Sequence, residues 1–406
     1  MLQNKIKISI IKNFLIGLLA FTMPINKNIL PIIIVGILIF VIIELIQQRS
    51  LKNYYTKFFI FSISLYVIHL LGMLYTQNSK VGNFDLEQKL SLLLFPIVFC
   101  SESKITDESI SEILNLFLLG NICAVIICIA NACYQYSILA NPDYFFYTQF
   151  SAILHPSYFS MYLNFGIIIL LFYPKINFNN LTKYLVILLF FVIIMLNASK
   201  AGIICLALIL ILKFSISIIN HKKRLKTIGI AIALLSLPAI VIFISPKIRL
   251  RFSEMTSSVH STDKELNSTS IRMSIWKHSL HIIKDNLWIG VGTGDVKNEL
   301  SMQYRASNEK ILESGHLNAH NQFLQTAIAF GIIGLGALLL ILTCAAIWTF
   351  QTDQHEATLL ILLIAINFFF EAMLETQAGV VFISFFLFLY LNKARNELTL
   401  RNFNLN

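Results

Sequence analysis

Charge is scarce in this chain. Only 13% of its 406 residues are Asp, Glu, Lys or Arg, while 57% are hydrophobic and the mean hydropathy is +0.74. No soluble domain needs that much apolar surface, so the composition makes the bilayer the solvent. Cysteine chemistry is thin as well. Cys100, Cys123, Cys128, Cys133, Cys205 and Cys344 lie in or beside apolar stretches with no CxxC pair. That spacing supports neither a thiolate metal site nor a disulfide framework. There is no HExxH motif, no acidic dyad, no internal repeat and no low-complexity segment.

What is present is a succession of apolar runs, each able to cross a bilayer as a helix that satisfies its own backbone. About twelve can be read: 8–24, 29–46, 57–76, 89–101, 110–136, 149–173, 183–197, 200–219, 225–245, 319–349, 356–375 and 378–393. The expected fold is all-α, a polytopic membrane protein with about 12 transmembrane helices and a long, partly helical outer loop. Residues 1–245 carry helices 1–9, 246–318 the loop, 319–395 helices 10–12 and 396–406 a tail, together a single integral membrane domain, 1–406. Lys5, Lys7 and Lys12 before the first run resemble a signal peptide. No small-x-small cleavage site follows, so the run is expected to stay as the first span.

Charge sets the expected orientation. With twelve spans and an inside N-terminus, 17 of the 31 Lys and Arg fall on the cytoplasmic side, with Lys213, Lys222, Lys223, Arg224 and Lys226 as the strongest anchor. Lys27, Lys80, Lys89 and Lys200 fall in short outer loops, and ten lie in the long loop, which is exempt from the count. Both termini are then cytoplasmic. The net charge of +10 reads as topology and contact with anionic lipid, with no nucleic acid as partner.

The segment 246–318 is too long for a connector. Residues 271–289 have helical apolar periodicity, with Ile271, Ile275, Trp276, Leu280, Ile282, Ile283 and Leu287 on one arc and Lys277, His281 and Lys284 opposite. Arg272 falls near the centre of the apolar arc. Two readings stay open for it: a stem packed on apolar surface with its head in water, or a guanidinium aimed at the membrane body to meet an anion. Gly290, Gly292 and Gly294 follow with no preceding strand, which excludes a dinucleotide fingerprint and leaves a tight turn with exposed backbone.

The topology gathers several polar residues at the outer face. These are His155 and Tyr158 at the start of the sixth run, Ser199 and Lys200 between the seventh and eighth, His320 and Asn321 opening the tenth, and Glu371 and Glu375 closing the eleventh. Ionisable groups near the membrane are costly and tend to be functional. Each alone has a bland explanation, Lys200 as an interface anchor and Glu371 as a helix–helix contact, but their coincidence on one side marks a site. Glu313, His316 and His320 are spaced for one helical face, but the junction of loop and span is expected to break that face, and no metal is expected.

These residues carry a resemblance to the O-antigen ligase and polymerase superfamily of membrane glycosyltransferases. The matching motifs are Ser199-Lys200-Ala201-Gly202, then Arg272 to Trp276, the turn Gly290-Val291-Gly292-Thr293-Gly294, His320-Asn321-Gln322-Phe323-Leu324, and Gly331 to Gly334. Lys200 stands where the family usually has arginine, which keeps the charge and loses the bidentate fork. The resemblance implies a polyprenyl-diphosphate-linked glycan as donor, lipid A-core or another glycolipid as acceptor, and no metal or cofactor. It places the chain in the bacterial inner membrane, with its active site periplasmic. Arg272 and Lys200 would offset the charge of the departing diphosphate. His320 would take the proton of the acceptor hydroxyl. Asn321, Ser199, His155, Tyr158, Glu371 and Trp276 would contact substrate or orient His320.

The resemblance implies an O-antigen ligase first and an O-antigen or capsule polymerase second. A protein O-oligosaccharyltransferase ranks lower, because such relatives usually continue into a further C-terminal domain. A lipid-glycan transporter would need polar residues and broken helices near the bilayer midplane. The middles of these runs are nearly bare.

Overall fold

A computed structural model describes residues 2–48, 57–101, 105–220, 268–315 and 317–404. Among the described residues there are helices, turns and loops, and no strand. The helices are α1 (Leu2–Thr22), α2 (Leu30–Gln48), α3 (Lys57–Gly72), α4 (Ser79–Gln88), α5 (Ser91–Ser101), α6 (Asp107–Leu139), α7 (Tyr147–Phe150), α8 (Pro156–Phe172), α9 (Asn180–Asn197), α10 (Lys200–Asn220), α11 (Ser268–Asp285), α12 (Val296–Ala306), α13 (Lys310–Gly315), α14 (Gln322–Gln351), α15 (His355–Phe370) and α16 (Gln377–Asn404).

Five stretches among them are long and apolar enough to cross a membrane: Leu30–Gln47, Asp107–Leu139, Asn180–Asn197, Gln322–Gln351 and Gln377–Arg401. The chain is a helical membrane protein, and a count of twelve spans goes beyond these five. The run 225–245, Lys222, Lys223, Arg224, Lys226 and His316 lie outside the described residues.

Two expected runs are shorter as helices than their hydropathy suggests. The run 149–173 divides into α7 and α8, because Pro156 fits the first turn of a helix and nothing before it. The run 356–375 stops helically at Phe370, and Glu371 is extended (φ −152°, ψ 147°). Hydropathy sees a continuous apolar stretch in both cases and is blind to the backbone reversal within it.

The chain falls into two compact units, residues 1–120 with 274–406, and residues 121–273. In the first, α16 is the central helix. Val380 to Leu391 are buried almost without interruption, and the rings of Phe95, Phe99, Phe117, Phe382, Phe385 and Phe386 meet at centroid distances of 4.9–6.1 Å. Lipid tails are as apolar as these side chains, so packing itself must favour association. Small residues permit it elsewhere: a Cβ on Gly120 of α6 would lie 2.1 Å from the Phe21 carbonyl oxygen of α1.

In the second unit α8, α9 and α10 pack on one another. Asn179 starts α9 by accepting from the Thr182 amide at 2.8 Å. Asn164 of α8 donates to the Gly202 carbonyl of α10 at 3.0 Å, across a contact where a Cβ on Gly202 would lie 2.5 Å from Ser160.

The glycine turn does not expose its backbone as its composition suggests. Gly331 has φ 61° and ψ −156°, a conformation close to glycine-only, and it breaks α14. The break frees the Ile328 and Ala329 carbonyls, which accept from the Val291 and Gly292 amides at 2.9 Å each. The Ile332 amide in turn donates to the Leu287 carbonyl at 2.8 Å. Gly290, Gly292 and Gly294 are buried, and a Cβ on Gly290 would lie 2.4 Å from the backbone of α14. The turn thus completes a broken helix, supplying the partners that an apolar surrounding would withhold. Asp295, just beyond it, accepts from the Gln77 and Asn78 amides at 2.7 and 2.9 Å and fixes the entry to α4.

Candidate functional site

In the first unit, His320, Asn321, Glu371 and Trp276 come together. His320 holds a left-handed backbone (φ 44°), which histidine tolerates better than most residues. Its amide donates to Asn318 Oδ1 at 3.0 Å, an Asx turn. The neighbouring Ala319 is held on both sides, its carbonyl accepting from Trp276 Nε1 at 3.1 Å and its amide donating to Gln325 Oε1 at 3.1 Å. Asn321 caps α14 by accepting from the Leu324 amide at 3.1 Å, while its Nδ2 donates to the Phe369 carbonyl at 3.1 Å. The loop is therefore determined at each residue, and the imidazole is placed before any ligand arrives.

His320 Nδ1 lies 2.6 Å from Glu371 Oε1. Toward an ionised carboxylate, which only accepts, Nδ1 is the donor, and in that tautomer of a neutral imidazole Nε2 carries the lone pair. The His320 side chain is 24% exposed and that of Glu371 10%. The imidazole is thus reachable while its partner is shielded.

Glu371 is itself held by the extended segment after α15. Leu374 donates its amide to Gln322 Oε1 at 2.7 Å. Glu375 Oε1 lies 2.8 Å from Nζ of the buried Lys89, which also pairs with Asp85. Lys89 is thereby neutralised by two carboxylates.

Trp276 sits on α11, whose inner face carries Ile275 and Ile282. Glu309 pins that helix, accepting from Ser274 Oγ at 2.7 Å with His278 Nε2 at 3.2 Å. Burial, then the nearby Glu309, push the Tyr304 phenol beside His278 above its ordinary pKa. The Trp276 ring also meets Phe369 at 5.4 Å, near perpendicular. Trp276→Phe keeps the ring and removes the donor to Ala319. A neutral hydrogen bond is worth about 1 kcal/mol, so turnover should fall about fivefold with protein yield unchanged. A wild-type rate would show that the bond does not position His320. One part of the sequence reading of α11 needs correction: Leu280 and Leu287 are 58% and 43% exposed and do not belong to its inner face.

In the second unit, α9 ends on Ala198 in a left-handed conformation (φ 46°). Ser199 then caps α10, its Oγ accepting from the Gly202 amide at 3.2 Å. Lys200 stands at the first position of α10, where the helix dipole opposes a cation, and its Nζ donates to Thr269 Oγ1 at 2.8 Å. Arg272 is half-buried three residues further along the chain from Thr269. His155 caps α8, where its Nδ1 accepts from the Ser157 amide at 3.4 Å, and its ring lies 6.2 Å from that of the buried Tyr158.

Some supporting residues went unread in the sequence. Asn318, two before a histidine, carried a usable signal in its Asx-turn spacing. Gln322 carried none and Lys89 none for its contact to Glu375, since those partners are 52 and 286 positions away, whereas Gln325 takes the amide of Ala319, six residues before it. Among the described residues no group of His, Cys, Asp or Glu is arranged to hold a metal ion. Helix α13 ends at Gly315, and Glu313 Oε1 pairs with Arg305 Nε at 2.8 Å.

A helical membrane protein with a carboxylate-held histidine at the start of a span is the class these features define. A family model described as O-antigen ligase matches residues 185–339, and that match supports a relation of this stretch to the O-antigen ligase superfamily. The matched stretch contains Ser199, Lys200, Arg272, Trp276, His320 and Asn321, and stops short of Glu371. A ligase- or polymerase-type function on lipid-linked sugars goes with such a domain. No curated protein matches the chain.

Proposed function

We propose that this protein is an O-antigen ligase that transfers a finished glycan from polyprenyl diphosphate to a hydroxyl of lipid A-core. The reaction takes place at the periplasmic face of the bacterial inner membrane. The observation that carries the reading is the hydrogen bond between His320, at the start of a span inside the family-matched stretch, and Glu371 beyond that stretch. In the proposed step the acceptor oxygen attacks the anomeric carbon and its proton passes to His320 Nε2. The glycosidic C–O bond to the diphosphate breaks, and the lipid diphosphate leaves as an anion. A single displacement of this kind inverts the anomeric centre. Glu371 holds the proton on Nδ1 and offsets the charge of the imidazolium that forms.

Arg272 and Lys200 are assigned to the departing diphosphate from their places in the matched motifs. A cation at the first position of α10, against the dipole, supports a role for Lys200 beyond the helix itself. Hydrogen bonds to charged groups are worth about 1.5–3 kcal/mol, so Lys200→Ala and Arg272→Ala should each slow transfer by about 10–100-fold. Lys200→Arg should retain transfer, because the charge stays and a fork is gained. Equal losses in Lys200→Arg and Lys200→Ala would remove Lys200 from diphosphate binding. Ser199, Asn321, His155 and Tyr158 are assigned to shaping the loops and contacting sugar.

The test is the glycan left on the lipid carrier after deletion of the gene. Long polymers stranded on polyprenyl diphosphate, with bare lipid A-core, are expected. Single repeat units on the carrier would make the protein a polymerase, and an unchanged carrier pool would overturn both readings.

A further inference from the structure

The turn that completes the broken α14 carries a patch of unusual composition. Leu287, Trp288 and Ile289 are consecutive and 43%, 67% and 55% exposed. Tyr75 and Leu74, at the end of α3, are 39% and 82% exposed, and Tyr75 joins the patch by donating its hydroxyl to the Ile289 carbonyl at 2.6 Å. Three large apolar side chains in a row at a loop tip are an error in water.

Their backbone is not that of a water-facing loop. The Leu287 carbonyl accepts from the Ile332 amide, the Ile289 carbonyl from Tyr75, and the Gly290 amide donates to the Asn286 carbonyl at 3.0 Å. Irregular backbone is tolerated at membrane depth only when its polar groups are satisfied inside the protein, and this turn meets that condition. The patch is also continuous with the membrane surface of a span: Ile332 and Ile333 of α14, beside the contact to Leu287, are 38% and 56% exposed. One helical face of α11 leads into it. Met273, Lys277, Leu280, His281 and Lys284 are all exposed, and these apolar and basic residues suit a helix lying at a headgroup boundary.

We infer that residues 287–289, with Leu74 and Tyr75, form a wedge inserted into the acyl region of the outer leaflet, which fastens α11 to the bilayer. The occupant of the patch is lipid. Trp288 and Tyr75 are the residue types that settle at the headgroup level bordering that region, and Lys284 and Lys277 lie about one and three turns back along the exposed face of α11, for phosphate headgroups. The inference rests on the membrane character of the chain and is independent of the transfer reaction.

The chain has three tryptophans, Trp276, Trp288 and Trp348, so Trp288 can be isolated by difference. Wild-type protein and Trp288→Phe are reconstituted in phosphatidylcholine vesicles with acyl chains either plain or brominated near the headgroup. Replacing an exposed ring leaves the packed interior intact. The emission belonging to Trp288 should be lost for the most part in brominated vesicles and spared by aqueous iodide. Quenching by iodide with no response to bromine would overturn the wedge in favour of a water-facing loop. A response to neither would overturn it too, placing a protein or a second copy over the patch.

Discussion

Replacing His320 by alanine is expected to lower glycan transfer by about 10²–10⁴-fold, the usual contribution of a positioned general base. The protein should still insert, with a lower unfolding midpoint, because alanine fits the left-handed backbone at φ 44° less well and the shielded Glu371 loses its partner. Glu371→Gln should also fall, by less. An amide can donate to Nδ1, which would move the ring proton to Nε2 and leave no lone pair for the acceptor hydroxyl. The pair distinguishes chemistry from binding: loss of a base lowers kcat, whereas loss of an acceptor contact raises KM. A His320→Ala variant with wild-type kcat would remove the base from the mechanism.

The largest structural effect is expected at Gly331. Its conformation is open to almost no other residue and would cost roughly 1–3 kcal/mol with a side chain present. A Cβ would also sit 2.4 Å from the Trp288 carbonyl group. That neighbour is backbone, pinned by the Ile332-to-Leu287 hydrogen bond, and cannot turn aside. Gly331→Ala should therefore destabilise the protein by roughly 4 kcal/mol or more, read as a lower midpoint for thermal unfolding in detergent. Gly336→Ala is the control, since nothing lies within 4 Å of a Cβ there, and it should be neutral. Equal midpoints for Gly331→Ala and wild type would mean that the turn does not depend on the break.

The legible part of this molecule was the part that hydropathy and motif order encode. Its helical class, the matched domain and the candidates His320, Asn321 and Trp276 could all be read from the chain. Glu371 was readable as a polar residue at the end of a run, and its contact to His320, 51 positions away, only as one of two alternatives that the resemblance left open. The backbone breaks resisted reading. At Glu371 and before Pro156, apolar composition continues through a change of direction, and periodicity alone cannot register it. The glycine turn was visible and its purpose was not. A row of glycines states that backbone must approach closely, but not what it approaches. Here the answer lay in Gly331, 37 residues beyond Gly294, where a second backbone had been left without partners.

The most direct measurement uses purified protein in vesicles with a polyprenyl-diphosphate-linked glycan and a lipid A-core acceptor. Glycosylated acceptor and free polyprenyl diphosphate are counted together. Wild-type protein should produce the two in equal amounts, and His320→Ala should produce almost none of either. Equal product from wild type and His320→Ala, or glycosylated acceptor without release of the diphosphate, would contradict the account.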